Sequence, residues 1–275
     1  MTQEVASTFR RSVQQGEERL GRTWPALLAT GAVGGLDVGI GVFALFLVEA
    51  ATENTLLGAL AFGIGFIALT LAHSELFTEN FLVPIVAVAA GRASPLAVIR
   101  LWAGTGVTNL AGGWVIMGIV SVGVPQVHET AVRLGAHYVE LGLGRQAFAA
   151  AVLGGSVITL MTWMQQATES MPSKLVAAVA AAFLLGAGSL LHAIVVSLIM
   201  FAALQAGAPF GYLDWFRVLA WSTLGNLVGG LALVTMLRLV QVGKGQVDEE
   251  RNRRAHKIDS NGRQRQAADA PAGNL

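Results

Sequence analysis

The sequence predicts an all-α integral membrane protein of six transmembrane helices, arranged as two inverted three-helix repeats in which helices two and five are broken near the middle. Composition, the lengths of the apolar runs and one recurring motif carry that expectation. Hydrophobic residues make up 54% of the chain and charged residues 13%, with a mean hydropathy of +0.60. That exceeds what a soluble chain of 275 residues carries. Crossing a hydrocarbon core of about 30 Å takes roughly 20 helical residues. Runs of that size lie at about 25–50, 56–88, 98–124, 146–165, 175–207 and 217–242. The motif Asn109-Leu-Ala-Gly112-Gly113 in the third run returns 117 positions later as Asn226-Leu-Val-Gly229-Gly230 in the sixth.

The regions before and after the spans hold most of the charge. Residues 1–24 carry Arg10, Arg11, Arg19 and Arg22 among polar residues, without the short apolar core of a signal peptide. They are expected to form a cytoplasmic N-terminal arm, followed by a six-span channel domain over 25–242 with repeats at about 25–124 and 146–242. Basic residues near short loops mark the cytoplasmic side. The arm, Arg92 and Arg100, Lys174 and the C-terminal cluster fall on one side, so both termini are expected in the cytoplasm of a cell (inner) membrane protein. In the 125–145 connection, Val127, Ala131, Leu134, Tyr138 and Leu141 recur at helical spacing, which fits an amphipathic helix at the interface or a plain surface helix. Residues 243–275 are polar, mixed in charge and unable to bury an apolar face, so they read as a disordered cytoplasmic tail. The chain has no cysteine, which excludes disulfides and thiolate metal sites.

Span two contains His73, Ser74, Glu75, Thr78, Glu79 and Asn80 within an otherwise apolar run, followed by Pro84. Ionisable groups at bilayer depth cost a few kcal/mol and face a cavity or a partner. Non-helical backbone at that depth must be buried in protein or line water. The Ser74-to-Asn80 stretch therefore reads as a break, and Pro84 supports a change of direction after it. Span five places His192 just after Gly186, Gly188 and Ser189, where the two glycines permit a bend. A histidine among apolar residues is often a satisfied core group, but in a membrane span an imidazole that changes charge near neutral pH points to function. Asp37, in a glycine-rich part of span one, fits either a structural pair or a pathway lining.

The recurring Asn-Leu-x-Gly-Gly reads first as a packing seam, with Asn109, Gly113, Asn226 and Gly230 drawing helices together. The same offset carries Glu75 onto His192, each 34 residues before its motif. Three spans per copy force the second half into the membrane upside down, and inverted repeats of this kind hold a ligand path at their broken helices near the midplane. His73 and Glu75 lie two residues apart with no second pair to complete a metal site.

Together these residues resemble the formate/nitrite transporter family. Glu75-Leu-Phe-Thr78 is similar to its acidic-Leu-Phe-Thr break, and Asn109-Leu-Ala-Gly112 and Gly225-Asn226-Leu-Val-Gly229-Gly230 are similar to its Gly-Asn-Leu-x-Gly motifs. Met161-Thr-Trp163-Met resembles the end of span four, and His192 falls at the central pore histidine. The resemblance covers roughly residues 10–242. It implies a homopentamer of aquaporin-like protomers, each passing small monovalent anions such as formate, nitrite or hydrosulfide. Counted without gaps, it implies pore constrictions at Phe62, Phe66 and Leu185, with Thr78 beside the histidine and Glu75 on the path. Gly155 or Ser156 stands where the family has a span-four Asn, Val196 where it has an Asn after the histidine, and Leu191 where it has a polar residue before it. The chain thus reads as a divergent member whose substrate need not be that of the family's namesakes.

The expected function is a channel or transporter for anions of weak acids. An anion pays heavily to enter apolar rings and the neutral acid far less, so a proton-donating His192 would let the species cross uncharged, faster at acid pH. The alternatives are a pore for small neutral solutes, which here lacks an Asn-Pro-Ala signature, and an intramembrane enzyme using His73, Glu75 and His192, which lacks a nucleophile motif. The expected partners are the lipid bilayer and the small anion, with no cofactor, no metal and no nucleic acid.

Overall fold

The computed structural model describes residues 3–252, and every regular element in it is helical. Helix α1 (Gln3–Leu20) opens on Glu4 and closes on Arg19, which suits the helix dipole at both ends. It buries Phe9, Val13 and Leu20 along one stripe. The N-terminal arm is thus a packed helix.

Helix α2 (Trp24–Thr52) begins on Pro25, whose fixed φ and missing N–H suit a helix start. Helix α3 (Thr55–Leu71) is capped by Asn54, whose side-chain oxygen accepts from the N–H groups of Leu56 and Leu57 at 3.0 and 3.1 Å. After Leu71 the chain leaves helical geometry, and His73 takes a left-handed φ of 54°. A short 3-10 turn (Phe77–Phe81) and helix α4 (Val83–Ala89) follow, with Pro84 in the first turn of α4. Helix α5 (Pro95–Gly123) starts behind Ser94, and α6 (His128–Glu140) fills the expected amphipathic stretch. Its buried face, Ala131, Gly135 and Tyr138, packs on protein, chiefly on the later helix at 193–205.

Helix α7 (Arg145–Ala167) leads to α8 (Met171–Ala187), an interruption at 188–192, and α9 (Ala193–Gln205). Residues Ala193–Ala203 of α9 are all buried, so this helix forms the centre of the molecule. The last run begins earlier than the hydropathy alone indicates, at Tyr212. Helix α10 (Tyr212–Leu227) passes through a π-helical stretch (Val228–Thr235) into α11 (Met236–Val242). Among the described residues four stretches are long and apolar enough to cross a membrane: α2, α5, α7 and Tyr212–Val242. At 1.5 Å per residue, the 29 residues of α2 or α5 reach roughly 43 Å. The shorter apolar helices are α3, Phe77–Ala89, α8 and α9.

The first residues of the stretch expected to be a tail from 243 are packed on the rest of the molecule. Residues 244–252 are helical, Arg92 pairs with Glu250 at 3.3 Å, and Arg251 donates to the Ala89 carbonyl at 2.7 Å. Residues 253–275 lie outside the described part of the chain.

Candidate functional site

Two asparagine clamps define the centre. Asn109 Nδ2 donates to the carbonyls of Gly31 and Glu75 at 2.7 and 2.8 Å, while its Oδ1 accepts from the N–H of Phe77 at 2.8 Å. Asn226 Nδ2 donates to the carbonyls of Ala151 and Leu191, both at 2.7 Å, and its Oδ1 accepts from the N–H of Ala193 at 2.9 Å. Each amide therefore satisfies backbone groups that the missing helical turns leave unpaired at 75–77 and at 191–193. The two arrangements repeat each other bond for bond. They also shift the pairing between halves by one residue from the constant offset: Glu75 corresponds to Leu191, and His192 corresponds to Leu76. The Asn residues do more than mark a packing seam, because they hold the breaks open.

Small residues make room for both clamps. A Cβ on Gly34 would strike the Glu75 carbonyl, and one on Gly35 the Asn109 carbonyl. On the other side, a Cβ on Gly155 would strike the Asn226 backbone. At Gly155, one of the two positions (with Ser156) where the resemblance implies an Asn, the space belongs to Asn226. Gly113 lies against Leu198, and Gly230 against Thr159 and Phe81.

His192 caps α9. Its Nδ1 accepts from the Val195 N–H at 3.2 Å, and its Nε2 faces Thr78 Oγ1 at 2.5 Å. The ring is fully buried, as is Thr78. One break thus presents an imidazole and the other a hydroxyl, and the two meet. A neutral imidazole whose Nδ1 accepts a hydrogen bond carries its proton on Nε2, so His192 donates towards Thr78. Phe62 and Phe66 are buried on α3 with ring centroids 5.3 Å apart, and Leu185 is buried on α8, which packs along α3.

Behind Thr78 lies an ion cluster that the sequence reading did not assemble. Arg19, at the end of α1, reaches Glu75 Oε1 through Nε at 3.0 Å, Glu79 Oε2 at 3.7 Å and Asn80 Oδ1 at 2.9 Å. Arg22 forms a second, shorter contact with Glu75 Oε1. Arg100 ties the intervening turn by donating to the carbonyls of Leu20 and Arg22 at 2.6 and 2.9 Å. Arg19, Glu75, Glu79 and Asn80 are all buried. The arginines had been counted only as topology signals. The available clue was stoichiometric, since two carboxylates inside an apolar run need cations; sequence distance gave no guide, because Arg92 and Arg100 lie nearer in the chain than Arg19 and Arg22.

A cavity of about 280 Å³ opens on this cluster, lined among others by Arg22, His73, Glu75, Glu79, Gln165 and Lys174. His73 is exposed and adopts the left-handed backbone. Asp37 accepts from the Ser74 hydroxyl at 2.6 Å, so it fastens the start of the break. Among the described residues no three His, Cys, Asp or Glu side chains are grouped to hold a metal.

Comparison with known proteins agrees with this architecture. The family described as formate/nitrite transporter matches residues 6–240. The chain is 26% identical over 240 residues to the inner membrane protein YfdC of Escherichia coli (strain K12), covering 83% of this chain and 76% of that one. Among solved structures it is similar to an FNT family ion channel, with a TM-score of 0.73, 20% identity and coverage of 83% and 96% of the two chains. It is likewise similar to a pentameric formate channel with formate bound, with a TM-score of 0.66, 22% identity and coverage of 78% and 95%. These two likenesses show the fold. The match spanning nearly the whole chain shows the family: the protein belongs to the formate/nitrite transporters, membrane channels and transporters rather than enzymes.

Proposed function

We propose that the chain passes small monovalent anions of weak acids, with formate and nitrite as the representative substrates, through a pore in each protomer of a homopentamer. In this reading the pore is made by six spans in two inverted three-helix repeats, whose second and fifth spans are α3 with α4 and α8 with α9, and both termini are cytoplasmic. The observation that carries it is the meeting of His192 and Thr78 across the two breaks. Deeply buried, these groups offer a hydrogen-bond donor to a small polar solute and little else. The paired asparagine clamps support the inverted repeat, since the same amide performs the same task once in each half.

In this reading Phe62, Phe66 and Leu185, all buried on the packed pair α3 and α8, act as the apolar constrictions of the pore. An ion crossing them loses most of its hydration, at a cost far above that for the uncharged acid. His192 and Thr78 enable proton-assisted passage by receiving the solute in the pore, where Nε2–H donates to it. Glu75 lies on the approach, at the wall of the polar cavity.

Purified protein reconstituted in vesicles tests the substrate class. Formate and nitrite should equilibrate across the membrane at least about tenfold faster than in protein-free vesicles. Glycerol and urea should not. Swelling with glycerol or urea and no anion flux would replace this reading with a neutral-solute pore.

A further inference from the structure

Resting on that reading, the structure assigns Glu75 and Glu79 as the proton port of the pore: the carboxylate pair gives a proton to the arriving anion and His192 then only hydrogen-bonds the neutral acid. Three observations converge on this. First, the His192 ring has both nitrogens in use. Nδ1 accepts from the Val195 N–H and Nε2–H is directed at Thr78 Oγ1. Releasing the Nε2 proton would first require a proton at Nδ1, where it would displace the cap of α9. Second, Glu75 is 1% exposed and lines the cavity, yet both arginine contacts fall on Oε1. Among the described residues its Oε2 has no hydrogen-bond partner. A buried carboxylate oxygen without a protein donor takes one from what enters the cavity, whether water, a proton or the O–H of a weak acid. Third, Glu79 shares Arg19 with Glu75, lines the same cavity and follows Thr78 directly in the 3-10 turn.

The protonated carboxyl group loses its O–H proton to the anion, an O–H bond forms on the anion, and the neutral acid enters the constriction. The carboxylate left behind is compensated by Arg19 and regains a proton from water in the cavity. Outward passage runs in reverse. Charged and titratable groups facing the pair are Arg19 on α1, Arg22 in the turn after it, His73 on its own break and Lys174 on α8. Glu18 joins the cavity wall from α1, Asp37 reaches the break through Ser74, and His192 stands beyond Thr78. Two cations held by the pair keep its charge balanced, so one added proton leaves the cluster cationic and attractive to an anion.

The test is formate uptake into vesicles carrying the full chain, with an internal pH dye recording proton entry. The wild type should take up about one proton per formate. Glu75→Gln together with Glu79→Gln should cut uptake near neutral pH by at least about tenfold. The deficit should shrink towards pH 5, because the neutral acid in bulk water rises about tenfold per pH unit. Glu79→Gln alone, which leaves Glu75 with both arginines, should show the same pH-dependent deficit in smaller degree. Replacing both by Asp should retain uptake. An unchanged pH profile in the double Gln protein would overturn the assignment, as would a deficit equal at every pH. If the wild type moves no formate or nitrite, the transport reading itself falls; if it moves them and the Gln proteins match it, only the proton port does.

Discussion

At the level of single residues, the chain solves one problem twice. Interrupting a helix inside an apolar environment strands backbone donors and acceptors, and each stranded group costs about 1–3 kcal/mol. Asn109 and Asn226 each recover two such groups and add a bond to a carbonyl of a neighbouring helix, with one amide. Asn226→Ala should therefore destabilise the protein by about 2–4 kcal/mol, the lower bound reflecting the weaker hydrogen bonds measured between membrane helices. Thermal unfolding in detergent would register this as a loss of several degrees, and an unaltered midpoint would contradict the clamp. Thr78 is a different case, since its hydroxyl is placed for His192 rather than for the backbone. Thr78→Val should slow formate flux roughly tenfold, the worth of one hydrogen bond, whereas Thr78→Ser should keep it. Stopped-flow flux assays on the two proteins would separate them. The Asn motifs were legible as special because polar residues are scarce in these runs, but their bonding was not, because an amide's partners lie on other elements. For the same reason a constant offset paired Glu75 with His192, one residue away from the pairing that the hydrogen bonds define.

At the level of elements, the N-terminal helix is the main departure from expectation. Its apolar stripe of Phe9, Val13 and Leu20 is diluted by arginines and glutamates, so the sequence read as an arm. Phe9 and Val13 pack with Leu82, Val83 and Val86 around the start of α4, Leu20 joins the cluster of Ala87, Val98 and Leu101, and Gly16 admits the Val83 carbonyl. Arg19 then joins α1 to the break in span two. Removing one partner of a buried ion pair costs about 3–5 kcal/mol because the other charge is left uncompensated. Arg19→Ala should thus lower stability by roughly that amount, and Arg11→Ala, whose ion-pair partner Glu169 is exposed, by far less. Equal unfolding midpoints for the two variants would argue against a built ion cluster. The apolar runs were legible along the whole chain because length and hydropathy fix them locally. The ends of the last run were not, since Tyr212, Asp214 and Trp215 carry polar groups, and the helical residues 244–252 depend on Arg92 and Ala89, which are distant in sequence.

For the whole molecule, the outward faces of α5 and of the stretch Tyr212–Val242 carry large exposed apolar residues, including Ile99, Val107, Ile119, Val122, Phe216, Leu237 and Val240. Lipid and neighbouring protomers would both cover such faces. Light scattering of the detergent-solubilised protein should give five times the chain mass of 28.7 kDa, and a monomer would oppose the pentameric reading. The proposed function rests on a property of the single chain: the buried meeting of His192 with Thr78. Family and fold were legible because motifs, hydropathy and repeat point the same way, whereas the partners of His192 required the two halves to be brought together. The decisive measurement is the rate at which vesicles containing the wild type or His192→Ala exchange formate, nitrite and hydrosulfide between about pH 5 and about pH 8, a range over which the supply of protons to the anion changes about a thousandfold. Flux that rises at acid pH in the wild type and drops at least about tenfold in His192→Ala is the predicted result; equal rates with the same pH dependence in both proteins would contradict the account.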